Sequence, residues 1–420
     1  MAPAEVLDLV AGEAGTTGEV PSADGLAPRL WRLEIDLGDS APASVEVLVA
    51  LVDSEPDGLP RYDTVAMRRA DSDDWSYAGE FEWLDLSFEA QGPDDDRPRP
   101  YGAWCKVLRI DRLEGALRFF RGGANRLTAY PAGFEDRLAE AVGPWPGEAN
   151  SDLVDDWWLD LEEGIDLDTF IEQGERLDRY LDRILAWVLA EEDADLVLAY
   201  HSSVDVYQHA CLITDQLQWA YSPGRALAAR EGLKQMGRSV DRSVAAAWAA
   251  LDPSRDALVV VSDHGQLPIF ELLRPNRVLA EAGLLTTVGE GSEVRVAADT
   301  AMMATAGGAA IHLYLNQQGR EPSGVVAPQD APELLRRAAH AFADLEVEGR
   351  PVVERIVGRD EAAAVGLDHP NTGDLVVFLA PGFGSAGGLD GAALEPSRHY
   401  GQHGFLASHD AMCGVLFARG

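Results

Sequence analysis

Four strand-length runs in the later part of the chain are apolar almost without interruption: ADLVLAY (194–200), DALVVV (256–261), AAIHLYLN (309–316) and GDLVVFLAP (373–381). A strand with one wet face alternates, so runs this continuous must be covered on both faces. An Ala-rich helical stretch at about 225–250 lies between the first two runs, and DAPELLRRAAHAFADL (330–345) between the last two. Strand, helix, strand is the crossover unit of a parallel sheet. The expected fold is therefore α/β, a mostly parallel sheet flanked by helices.

The first third has a different texture. RLWRLEID, ASVEVLVALVD, YDTVAMRRA, YGAWCKVLRID and EGALRFFRG read as strands of a β-rich module between about 28 and 125, separated by turn clusters such as SEPDGLP. After the Gly/Pro-rich stretch GPWPGEANSD (143–152) the period becomes helical. Phe170, Ile171, Leu177, Tyr180, Leu181, Ile184, Leu185 and Val188 then mark an amphipathic helix within 167–194. A chain of 420 residues accommodates two or three domains. The expected division is a β-rich module over 1–150, of insertion or cap type, and an α/β core over 151–420.

Charge narrows the partners. Lys plus Arg is 34 against 71 Asp plus Glu, a formal net charge of −37, and Lys106 and Lys234 are the only lysines. Duplex nucleic acid and an anionic membrane surface both demand a basic face, so neither is an expected partner. A phosphate ester bound by such a chain needs its positive charge from divalent cations. Cys105, Cys211 and Cys413 are odd in number and far apart, which reads as no disulfide framework. No signal peptide or transmembrane run is legible, and the compartment stays open.

In an open α/β sheet the ligand lies beyond the carboxyl ends of the strands. There ADLVLAY leads into HSSVDVYQH, with Asp205 and His209 four apart and so on one side of a helical turn. DALVVV leads into SDHG, with Asp263 and His264 adjacent and Gly265 permitting an unusual backbone. Near the end, His403 sits between Gly401 and Gly404. An Asp–His pair four apart is by itself an ordinary surface pair, and a lone histidine is ordinary too. An acid beside a histidine at the end of a buried strand is costly unless something binds it. Together the two carboxylates and three imidazoles suit zinc, with manganese the alternative, and are too many for one tetrahedral ion. Two divalent ions are implied. His312 and His340 read as structural, while His201 and His399 remain possible supports or substrate contacts.

The set D-x-x-x-H after one strand, SDHG after the next, and the late QHGFLASHDAMCGVLFA resembles the alkaline phosphatase superfamily, in its type I phosphodiesterase and nucleotide pyrophosphatase branch. GGAAIHLYLN and TGDLVVFLAPGF resemble segments of the same branch. The resemblance implies an alkaline-phosphatase-like α/β core and metal-dependent hydrolysis of a small phosphate ester. It assigns Asp205, His209 and His403 to one ion, and Asp263 and His264 to the other. It also implies an early aspartate ligand in an Asp-Gly context and a Thr or Ser nucleophile, and neither is legible. Asp53 and Thr64 flank what reads as a hairpin turn, while Thr16, Thr17 and Ser22 lie in an unpatterned segment. The expectation is a chain that lacks the first metal aspartate and the nucleophile, leaving an apolar sheet edge exposed. The alternative is a catalytically inactive relative that still binds metal and phosphate, with residues 1–30 covering that edge.

Overall fold

The computed structural model describes residues 3–16, 20–37, 44–91, 97–151, 153–154, 164–289 and 294–420. Two compact units divide them: 1–203 with 238–250, and 204–237 with 251–420. Thr17 lies outside the described residues.

The first unit begins with β1 (Glu5–Leu9), β2 (Arg29–Asp36), β3 (Ser44–Val52), β4 (Thr64–Arg69), β5 (Ser76–Gly79), β6 (Trp83–Ala90), β7 (Arg99–Asp111) and β8 (Ala116–Arg121). Strands β2, β3, β4 and β5 pair antiparallel in that order. In a second antiparallel sheet β7 lies between β8 and β6, and β1 pairs β8. Trp31, Val49, Leu51, Val65, Leu86, Phe88, Val107 and Phe119 meet in one buried cluster. Alternation explains β6: in WLDLSFEA, Leu84, Leu86, Phe88 and Ala90 are buried and the residues between them are not.

The turn between β3 and β4 is the hairpin expected there, with Val52 opposite Thr64. Asp53 is buried, and its carboxylate accepts hydrogen bonds from the backbone N–H groups of Glu55 and Arg61 at 3.3 and 3.4 Å. Both of its oxygens are thus used to shape the turn. The helix α1 (Leu167–Glu191) follows, capped by Asp166, whose side chain accepts from Thr169 N–H at 2.7 Å. Phe170, Ile171, Leu177 and Tyr180 form its buried stripe. Lys106, one of the two lysines, is buried against it, donating to Glu172 at 2.6 Å and Thr169 at 3.0 Å.

Helix α2 (Ser203–Cys211) starts at the last residue of the first unit's main segment, and α3 (Pro223–Ala250) runs through residues of both units. The second unit then contains β9 (Leu258–Val261), β10 (Leu267–Leu273), β11 (Met302–Gly307), β12 (Ala310–Leu315), α4 (Ala331–Ala343), β13 (Val353–Gly358), β14 (Leu375–Leu379), β15 (Gly382–Ser385) and β16 (Leu416–Arg419). The order β11-β12-β14-β13 is antiparallel throughout, β10 pairs β15 in parallel, and β9 pairs β16 antiparallel. Ile269, Leu273, Ile311, Leu313, Phe342, Val377 and Leu379 form this unit's core.

Two details depart from the sequence expectation. Residues 194–200 form no strand, and Leu196 and Leu198 are exposed. A strand exists only through hydrogen bonds to a neighbour, and β9, the other half of the expected crossover, pairs with β16 instead. The run AAIHLYLN enters its sheet antiparallel because a turn at Gly308–Ala309 folds β12 straight back on β11, where a parallel partner would require a long crossover. His312 accepts at Nδ1 from Gly373 N–H at 3.1 Å, and burial holds its imidazole below the ordinary value.

Among the described residues, the sheet of β9 and β16 leaves apolar side chains open. Val259, Val261, Leu416 and Phe417 are each more than half exposed. Apolar strands left open in this way template pairing with other chains. We expect self-association at micromolar concentration, reduced by Val259→Lys with Phe417→Lys; analytical ultracentrifugation reads the outcome, and an unchanged monomer in both would refute it.

Candidate metal centre

The α2 helix has an inside and an outside. Tyr207 is buried and its hydroxyl donates to Ala229 O at 2.8 Å, which turns Asp205 and His209, two residues to either side, towards another face. The end of the helix is tied down by the buried Gln218, whose Nε2 donates to Leu212 O at 2.9 Å, Tyr400 O at 2.7 Å and Ile269 O at 3.1 Å. Tyr400 N–H in turn donates to His209 O at 2.7 Å. Gly401 and Gln402 pair with Pro268 and Leu267, so His403 emerges at the end of β10 where residues 262–266 enter.

That entering segment is braced by the chain after residue 411. Ser262 and Val415 exchange backbone and side-chain hydrogen bonds, and Gly265 N–H donates to Met412 O at 3.2 Å. Gly265 is required by closeness rather than by an unusual φ: a Cβ there would lie 2.0 Å from Ala411 O. Gly404 does need its glycine for conformation, with φ at +84°. His403 itself is held by Ala309 N–H donating to its carbonyl at 2.8 Å.

Five side chains converge at this end of β10. Ligand atoms of Asp205, His209 and His403 all lie within 4.8 Å of one another. Asp205 Oδ1 is 3.5 Å from His209 Nε2 and 4.0 Å from His264 Nε2. The His264 and His403 rings stack with centroids 3.8 Å apart, and His209 and His403 lie 5.1 Å apart edge to face. Asp263, mostly exposed, completes the group with Oδ1 3.6 Å from His264 Nε2.

The donor chemistry fits a cation. His209 Nδ1 contacts Gly401 O at 2.9 Å and His264 Nδ1 contacts Gly265 O at 3.1 Å. A carbonyl only accepts, so both Nδ1 atoms carry hydrogen and the Nε2 atoms are the ones turned towards Asp205. This is how a ligating imidazole is oriented. Burial, with the neighbouring His264 and His209, pushes the His403 imidazole below its ordinary value, in the direction of the neutral form that ligates. Among the described residues, the basic side chains within 4.0 Å of the Asp205 and Asp263 carboxylates are these imidazoles alone.

Comparison with known proteins bears on what such a cluster serves. The family profile described as type I phosphodiesterase / nucleotide pyrophosphatase matches residues 101–406, more than two thirds of the chain. The chain belongs to this family. Type I phosphodiesterases and nucleotide pyrophosphatases lie within the alkaline phosphatase superfamily and are metal-dependent, which gives the mixed α/β fold its class. No curated protein matches. Among solved structures, the chain is similar to human ectonucleotide pyrophosphatase / phosphodiesterase 5, at 12% identity and TM-score 0.34 over 58% of this chain and 52% of that one. It is also similar to phosphonoacetate hydrolase from Sinorhizobium meliloti 1021 in complex with phosphonoformate, at 17% identity and TM-score 0.31 over 63% and 57%. The chain spans little more than half the length of these relatives.

Within this phosphodiesterase family member, the other histidines have separate engagements. His201 Nδ1 lies 3.2 Å from the buried Asp178, which also accepts from Ser203 Oγ at 3.0 Å. His409 Nε2 meets Glu354 at 2.8 Å, and His340 is exposed on α4. Sequence reasoning missed Gln266, whose Nε2 donates to Asp205 Oδ1 at 2.7 Å, and Gln218. A glutamine carries no motif signal, and only its position one residue beyond SDHG could have pointed to the first.

Proposed function

We propose that this chain is the metal-binding part of a phosphoric ester hydrolase of the phosphodiesterase type. It holds two divalent ions, zinc or else manganese, through Asp205, His209, Asp263, His264 and His403. The observation that carries the reading is the convergence of three imidazoles on one carboxylate at the start of β10, two of them oriented by backbone carbonyls. Asp205, His209 and His403 form the closer group; His264 and Asp263 form the neighbouring one.

Bound there, divalent cations supply the charge that draws in a phosphate ester and stabilises its reacting oxygens. The chain's own contribution is orientation. The carbonyls of Gly401 and Gly265 fix the tautomers of His209 and His264, and the stacked His264 and His403 rings keep both imidazoles in place. With a net charge of −37, the surface itself repels a phosphate, so affinity for substrate rests on the centre.

Three observations support the further proposal that the nucleophile and one more carboxylate come from additional polypeptide. Asp53 and Thr64 belong to the hairpin of β3 and β4, and the closer group has three ligands whereas the neighbouring one has two. The exposed β9 and β16 and the exposed run 194–200 offer apolar surface of the kind a sheet core buries. Nor do residues 1–30 favour the inactive-relative alternative: Glu5–Leu9 pair with β8, and Gly15–Thr16 pair with the start of β2.

The test is hydrolysis of a nitrophenyl phosphodiester by this chain with added Zn²⁺ or Mn²⁺. Metal binding with turnover barely above the free ions is the expected result. Rapid turnover abolished by His264→Ala would overturn the need for an additional segment, and absence of metal binding would overturn the centre itself.

A further inference from the structure

We propose that Gln266 is a positioning residue whose side-chain amide holds the Asp205 carboxylate in the orientation a divalent cation needs, so that Gln266 sets the affinity of the centre without touching the ion. The inference rests on the metal-binding reading above and assigns a role that the ligand set does not include.

Gln266 is nine-tenths buried, between SDHG and the start of β10. Its Nε2 donates to Asp205 Oδ1 at 2.7 Å and lies 3.4 Å from Asp205 O, so both contacts of the amide nitrogen are made to one residue. The other end of the amide has none: Oε1 is buried without a hydrogen-bond partner. A buried acceptor left in this state is unfavourable. If Gln266 served only to fill space, an apolar side chain of the same length would do so without stranding an oxygen. The amide is therefore explained by what its nitrogen does.

What it does follows from the surroundings of Asp205. The basic side chains within 4.0 Å of Oδ1 are His209, with Nε2 at 3.5 Å, and His264, with Nε2 at 4.0 Å. Both distances are too long for a hydrogen bond, whereas the Gln266 N–H donates at 2.7 Å and so holds the carboxylate among the imidazoles. The centre is thereby assembled before an ion arrives, and the ordering of Asp205 is not charged against binding.

Outer partners of metal ligands typically govern affinity by about 10- to 100-fold. Cobalt(II) titration followed by its visible absorption is the probe, because it reports ligation directly and needs no turnover. Gln266→Met is expected to weaken Co²⁺ binding by about 10- to 100-fold. In an Asp205→Asn background the same substitution is expected to change affinity by less than about twofold, since the group it positions is gone. Equal losses in the two backgrounds would show a merely structural loop support and overturn the proposal, as would no loss in either. If Gln266→Met fails to fold, Gln266→Asn, one methylene too short for the 2.7 Å contact, carries the same expectation. Should Asp205→Asn and His403→Ala both leave Co²⁺ binding unchanged, the centre fails; should they weaken it while Gln266→Met does not, the positioning role alone fails.

Discussion

Replacing His403 by alanine is expected to lower Co²⁺ or Zn²⁺ affinity by more than about 100-fold, because removing a ligand exceeds the upper end of what removing an outer partner does. The reason lies in geometry that no other side chain can supply. In the proposed centre His403 is a ligand together with Asp205 and His209, and it stacks on His264, so its loss would open the closer group and free the ring that borders the neighbouring one. Its backbone is bound independently, through Ala309 N–H and the strand pairing of Gly401 and Gln402, so the fold should survive the substitution. Competition with a chromophoric chelator measures the affinity, and circular dichroism the fold. An affinity within threefold of the parent would remove His403 from the centre.

The second large effect concerns stability. Phe342 on α4 is fully buried in the core that also contains Ile311, Leu313, Val377 and Leu379, the residues of β12 and β14. Phe342→Ala should cost about 3–5 kcal/mol, combining lost burial with the cavity left behind. Two compact units need not unfold together, so the urea transition must be followed with a probe in the second unit, such as exchange of β12 amides. A shift under about 1 kcal/mol would mean that α4 packs more loosely than its burial shows. Because β11 and β12 present the turn that holds His403, a destabilised core should also weaken metal binding near the transition.

Much of the secondary structure was legible from local pattern. The strands RLWRLEID, VEVLVALV and LRFFR, the hairpin after Val52, and the helices around Phe170 and Leu334 all lie where periodicity and turn residues put them. WLDLSFEA was overlooked although its alternation is strict. The run at 194–200 misled because apolar continuity records what a strand wants, not whether a neighbour is there to pair with it. Direction misled in AAIHLYLN, where the Gly307–Gly308 pair just before it signalled a hairpin that the continuous apolar pattern masked.

For the site, composition and spacing determined which residues have the chemistry. Asp205 and His209 share a helical turn by arithmetic, and SDHG with the late His403 offered the remaining donors. The tertiary structure alone decided that these fragments, drawn from some two hundred positions of chain, point at one another, that Gly401 and Gly265 carbonyls choose the imidazole tautomers, and that Gln266 leans on Asp205. The division has a physical cause. Ligand type and helical spacing are properties of a few covalently linked residues, whereas convergence depends on backbone hydrogen bonds between segments that only folding brings together.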